Sequence, residues 1–216
     1  MSRLFAAIFV STIAIAPLAA NAFGLPTIPG LNNSSKDSAS PDLSGAQDQL
    51  VKQYVGASKS VLDGNAMMAD ALGLKAAAAS ARASGESMTD GATKGNLSDA
   101  NKASSNAAKE IAEALKNPVA MDVESKTKFS SGLVSLAQGM GKYVGMKAPF
   151  DSFQKGLSNV SPMMLPKLQS GVYIVSSLPG NMSNLGSALS SAISFAKSQN
   201  IEVPANVNDV LAKANF

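Results

Sequence analysis

Apolar residues recur at helical spacing through most of the chain beyond residue 42. Leu43, Ala46, Leu50, Tyr54, Ala57, Val61, Met68, Leu72 and Ala79 fall on one face, with Lys52, Lys59 and Asp63 between them. Such spacing predicts a long amphipathic helix over 43–79, bent near Gly64 or Gly73. A second helix, capped by Asn96 or Ser98, carries Leu97, Ala100, Ala107, Ile111 and Leu115 inward and stops at Asn117-Pro118. A third runs over 122–147 through Val123, Leu133, Leu136, Met140, Tyr143 and Val144. It contains four glycines, each of which weakens a helix by about 1 kcal/mol relative to alanine.

Beyond residue 147, Pro149 and Ser161-Pro162 read as helix starts, because proline in a first turn sacrifices no hydrogen bond. Phe150, Phe153 and Leu157 mark one short helix; Leu165, Leu168, Val172, Val175 and Leu178 mark another. The run 172–175 is β-branched and aromatic enough for a strand, but the surrounding spacing favours helix. Pro179-Gly180 predicts a turn, 185–197 returns to helical spacing, and 207–214 forms a last short helix. No partner strands and no internal repeat are visible. The expected fold class is all-α, an irregular bundle of about five to seven helices forming a single domain over 43–216.

Two stretches lack any period. Residues 83–97, rich in Gly, Ser and Thr, predict a loop within the domain. Residues 23–42, with three prolines, two glycines and a Ser/Asn run, predict a flexible leader that cannot bury enough apolar area to offset its ordering entropy. Ahead of it, Met1–Arg3 is basic, residues 4–16 are apolar apart from Ser11 and Thr12, and Ala20-Asn21-Ala22 offers small residues to a signal peptidase. This is the three-part pattern of a secretory signal over 1–22. The apolar run is too short to span hydrocarbon and meets Pro17. The expectation is a periplasmic or secreted protein without an integral span after cleavage.

Export changes how the composition reads. The chain has neither cysteine nor histidine, which removes disulfides, thiol catalysis, thiolate or imidazole metal sites and every nucleophile relying on a histidine base. The formal net charge is only +3, spread along the chain, with no tryptophan and with Arg82 the single arginine after the signal. A nucleic-acid binder would cluster its basic residues and add stacking aromatics, so no nucleic-acid partner is expected.

Several short constellations bear on chemistry. Residues 139–145, Gly-Met-Gly-Lys-Tyr-Val-Gly, come near a dinucleotide loop, but no alternating strands and helices surround them; glycines that let helices approach or mark a kink are the favoured reading. Ser125/Lys128, Ser152/Lys155 and Ser194/Lys197 have the spacing of a lysine-activated serine, without the companion elements of penicillin-binding enzymes. Met67, Met68, Met140, Met146, Met163, Met164 and Met182 are soft thioethers that could hold Cu(I), although methionine more commonly fills uneven cores. The terminal Phe216 resembles the last residue of an outer-membrane barrel strand, yet no alternating segments precede it. Glu124-Ser125, Phe129 and the run Gly132 to Gln138 resemble the Glu-Ser and Gly-Leu-Met-Gln elements of lytic transglycosylases. That resemblance implies a peptidoglycan-active enzyme with Glu124 as acid and base.

The sequence therefore supports no catalytic, cofactor-binding or metal residue as a leading site, and no cofactor. The leading expectation is a non-enzymatic envelope protein acting by contact, with an unknown envelope partner or with itself, through an apolar groove between helices rich in small residues. A periplasmic carrier of a lipid or other apolar ligand is the alternative, and the Glu124 enzyme the second.

Overall fold

A computed structural model of the chain describes residues 42–117 and 120–212. The signal over 1–22, the leader as far as residue 41, Pro118 and Phe216 lie outside the described residues. Among the described residues the fold is all-helical, with seven α-helices: α1 Leu43–Ala71, α2 Lys75–Ser87, α3 Lys94–Lys116, α4 Val123–Gly145, α5 Lys147–Leu157, α6 Gln169–Ser198 and α7 Ala205–Ala212. A 3₁₀ turn, Leu165–Leu168, leads into α6. No helix among these is long and apolar enough to cross a membrane.

Helix α1 begins where the Asp42 side chain accepts from the Gly45 amide at 3.0 Å. The expected helix over 43–79 is two helices rather than a bent one. Gly73 takes φ 78°, the Leu74 amide returns to Ala69 O at 2.8 Å and the Gly73 amide to Asp70 O at 3.1 Å, so a glycine C-cap stops α1 before α2 starts. The loop expected over 83–97 is also shorter, spanning 88–93. Helix α2 persists to Ser87 because Ala77, Ala78 and Ala81 are buried and Gly85 lies over Leu62, a narrow small-residue face that hydrophobicity patterning does not register. Thr93, not Asn96 or Ser98, caps α3. Its hydroxyl accepts from the Asn96 amide while Asn96 Oδ1 accepts from the Thr93 amide, a reciprocal box.

The third predicted helix appears as α4, with Asp122 accepting from the Ser125 amide at 2.7 Å. Pro149 lies in the first turn of α5 as expected. Ser161-Pro162 does not start a helix: residues 161–164 form turns, Pro166 enters the 3₁₀ segment, and α6 begins only at Gln169. The run 172–175 is helical. The turn expected at Pro179-Gly180 is absent, because α6 runs straight through both. Losing the proline's backbone bond costs about 3 kcal/mol. Ile174, Leu178, Met182 and Leu185 of the same helix are buried, and at about 1.5–3 kcal/mol for each large apolar side chain their burial outweighs that loss. Pro179 itself is exposed.

Helix α1 is the axis of the described fold, packing against every other helix except α7. Its most intimate neighbour is the antiparallel α4. A Cβ on Gly64 would stand 2.6 Å from Leu136 N, one on Gly132 2.9 Å from Gly64 O, and one on Gly139 2.9 Å from Val61 N. The two backbones touch, as the reading of the α4 glycines as contact points anticipates. Around this seam, Leu50, Leu62, Phe129, Leu133, Phe153 and Leu189 are fully buried, and the Phe129 and Phe195 rings meet at 5.2 Å. At one end, Asp70 of α1 ties in two further helices: Lys75 Nζ at 2.6 Å and Arg82 Nη2 at 3.3 Å from α2, and Lys128 Nζ at 3.5 Å from α4. The Lys75 hydrogen bond, aided by Arg82 and Lys128, holds the Asp70 carboxyl down to about 2.

Two predictions follow the seam and the ion cluster. Gly64→Ala must force backbone apart and should destabilise by about 1–3 kcal/mol, whereas Gly56→Ala, with nothing within 4 Å of its added Cβ, should stabilise by about 0.5–1 kcal/mol; urea denaturation midpoints moving in the same direction would refute the contact. Because the folded Asp70 carboxyl titrates near 2 against about 3.9 when unfolded, its contribution is complete above about pH 4 and is lost as pH falls toward 2. Asp70→Asn should therefore cost about 1–2 kcal/mol at pH 7, discounted for water at the rim of the cluster, and the difference from wild type should vanish near pH 2.

Candidate functional site

Helices α3 and α6 are fastened at their N-terminal halves and stand apart further along. Ser170 Oγ donates to Ala92 O at 3.2 Å, and Asn101 Nδ2 donates to Tyr173 Oη at 2.7 Å. Beyond these braces a cleft of about 340 Å³ lies between the helices, walled by Ala108, Ile111 and Leu115 of α3 and Ala188 and Ala192 of α6, with Met68 of α1 at its floor. Alanine and serine dominate the walls because each helix presents small residues at successive turns of this face, too short to reach across. Among the described residues Lys109 is the single charged one of the lining, and it is exposed.

At the braced end the cleft adjoins a smaller cavity of about 60 Å³, bordered by Asn65, Asn101, Ser104, Tyr143, Asn181 and Asn184. Here the chain's three tyrosines converge. Tyr54 Oη donates to Asn101 Oδ1 at 2.9 Å and accepts from Asn181 Nδ2 at 3.0 Å; Tyr143 Oη and Ser58 Oγ are 2.7 Å apart. The Tyr54 and Tyr143 rings meet at 5.2 Å in a tilted contact, a geometry that aromatic pairs favour. Burial pushes both phenols upward, Tyr143 well above the ordinary tyrosine value and Tyr54 less so, with the Asn101 hydrogen bond partly opposing it. Both stay neutral at physiological pH and act as hydrogen-bonding groups. Asn65 Nδ2 donates to the Ser104 carbonyl at 3.3 Å and to its hydroxyl at 3.1 Å. The arrangement is a neutral polar end joined to an apolar trough.

The structure disperses the residues that the sequence offers for chemistry. Glu124 projects from the first turn of α4 with its side chain 84% exposed, 3.5 Å from Lys128. None of the three Ser-x-x-Lys pairs is joined by a hydrogen bond: Ser194 Oγ donates to Ser190 O, and Lys128 is held by Asp70 and Glu124. Residues 139–145 are helical, with Gly139 against α1 and Lys142 Nζ bonded to Ser60 Oγ at 2.8 Å. Met68, Met140, Met146 and Met182 are buried core side chains, whereas Met163 is exposed.

The polar end went unread in the sequence, apart from Tyr54 and Tyr143, which periodicity puts on inner faces. One signal was present: the apolar face of α1 skips from Val61 to Met68, and Asn65 fills that gap on the same side. Asn101 and Ser104 likewise continue the Leu97 face of α3. Comparison with protein-family models, curated proteins and solved structures finds no match.

Proposed function

We propose that this protein is an exported, non-enzymatic binding protein that holds an apolar ligand in the cleft between α3 and α6. The observation that carries this reading is the cleft itself, about 340 Å³, with Ala, Ile, Leu and Met on its walls, Ser and Asn among them, and one rim lysine. That volume lies at the lower end of the range typical of small-molecule sites, which are mostly apolar with a few placed polar groups. The absence of histidine and cysteine from the sequence and the neutral tyrosines of the polar end favour holding over turnover. Removing the apolar surface of a ligand from water drives the association, at roughly 25 cal/mol per Å².

The test is direct. A fluorescent apolar probe, N-phenyl-1-naphthylamine, should brighten on titration with the purified protein, and native mass spectrometry of protein from its own host should show a bound lipid-sized mass. Ala188→Phe, which fills the cleft where both cavities share a wall, should weaken probe binding at least tenfold with an unchanged circular dichroism spectrum. A wild-type protein that binds no apolar probe would end this reading.

Contact with a second copy of the chain is a second reading, and one feature favours it. Met163 is 85% exposed, and Leu165 and Val172 remain substantially exposed close by in sequence, an apolar surface of the kind that marks interfaces. Sedimentation should then reveal a dimer that Met163→Glu with Leu165→Glu dissociates; a concentration-independent wild-type monomer would exclude self-association.

A further inference from the structure

Asn65 is 2% exposed, yet only half of its carboxamide is engaged. Both of its hydrogen bonds are donated by Nδ2, to the carbonyl and the hydroxyl of Ser104. The Ser104 carbonyl can only accept, so it fixes the nitrogen on that side and leaves Oδ1 on the other. Among the described residues no group donates to that oxygen, and it is not sealed off but keeps accessible surface. Asn65 belongs to the lining of both cavities, so the free acceptor stands where the apolar trough meets the polar end.

An acceptor that a nearly buried residue opens only to a cavity takes its donor from whatever occupies that cavity, water or a ligand group able to replace the water's hydrogen bond. We infer that the cleft selects an uncharged amphiphile whose head is a hydrogen-bond donor of the hydroxyl type, with the head on Asn65 Oδ1 and the apolar body along Ile111, Leu115 and Ala192. This rests on the reading of the cleft as a ligand site. A carboxylate head has no proton to give and would face an oxygen. An ammonium head could donate, but among the described residues no carboxylate lines either cavity to offset its desolvation. Lys109 is exposed and lines the larger cleft, but it is not part of the smaller cavity that Asn65 also borders. Asn184, which borders both cavities from α6, adds a carboxamide able to donate back to a hydroxyl oxygen, so an alcohol matches the site in both of its roles.

Displacement of N-phenyl-1-naphthylamine from the full chain by 1-decanol, decyl methyl ether and decanoate tests the inference. The three competitors share one chain length and differ in the head: donor and acceptor, acceptor alone, and anion. In wild type, decanol should displace the probe at about one tenth the concentration of either other compound, and Asn65→Ala should bring decanol level with the ether while probe affinity is retained. Equal displacement by decanol and the ether in wild type would overturn the inference without any variant, as would tighter binding of decanoate. A decanol preference that survives in Asn65→Ala would also overturn it, by removing Asn65 from recognition. These results all presuppose a probe that binds; a probe that does not bind overturns the cleft reading first and this inference with it.

Discussion

The approach of α1 and α4 is the constraint on which the rest of the fold depends. Glycines at 64, 132 and 139 remove the Cβ atoms that would otherwise strike backbone across the seam, and two antiparallel helices can then lie in main-chain contact. Dispersion gained across so close an interface is individually small and collectively large, which compensates for the helix-weakening effect of glycine in both elements. The seam also sets the register. With Gly64 seated between Gly132 and Leu136, and Gly139 against Ala57 and Val61, Ser58 arrives opposite Tyr143 and Tyr143 against Tyr54. The polar end of the cleft is thus a consequence of glycine placement more than sixty residues apart in sequence.

Helix α1 can hold the whole assembly because its circumference is divided among neighbours. One face takes the α4 backbone, another the small-residue face of α2, and the row containing Tyr54 and Asn65 meets α3 through Asn101 and Ser104. Asp70 closes the far end by gathering cations from α2 and α4, an arrangement that joins elements without requiring a large apolar side chain from any of them. In a chain without disulfides, the link between α1, α2 and α4 is electrostatic where the glycine seam ends, which makes it sensitive to acid.

Much of this was legible from periodicity, and the exceptions have physical causes. Helices whose inner faces carry Leu, Ile, Phe and Met, such as α3 and α4, announce themselves because those side chains are both apolar and buried. The C-terminal part of α2 does not, since a face made of alanine and glycine is inward-facing without being strongly hydrophobic. Pro179 misleads for the opposite reason: its local preference is strong, but four buried residues of the same helix flank it and tertiary burial decides. Asn65 and Asn101 are the hardest to read. A buried asparagine looks like an exposed one until its partners are known, and Ser104, Tyr54 and Tyr173 come from positions no local window contains.

Small residues have two contrary effects in this protein, and the difference is not in the residues themselves. Between α1 and α4 they produce contact; between α3 and α6 they produce a cleft. At the seam the glycines leave no Cβ between the two main chains, so the helices close until backbone meets backbone. Between α3 and α6 the Asn101–Tyr173 bond joins the helices near their N-terminal ends, and Met68 and Asn65 rise from α1 beneath the gap. The helices are held at the spacing of these larger groups, and Ala108, Ala112, Ala188 and Ala192 cannot fill what remains. Shortening the brace would relax that spacing and let the walls approach, so the volume of the cleft is set by Tyr173 and Asn101, residues that stand at its closed end rather than in its walls.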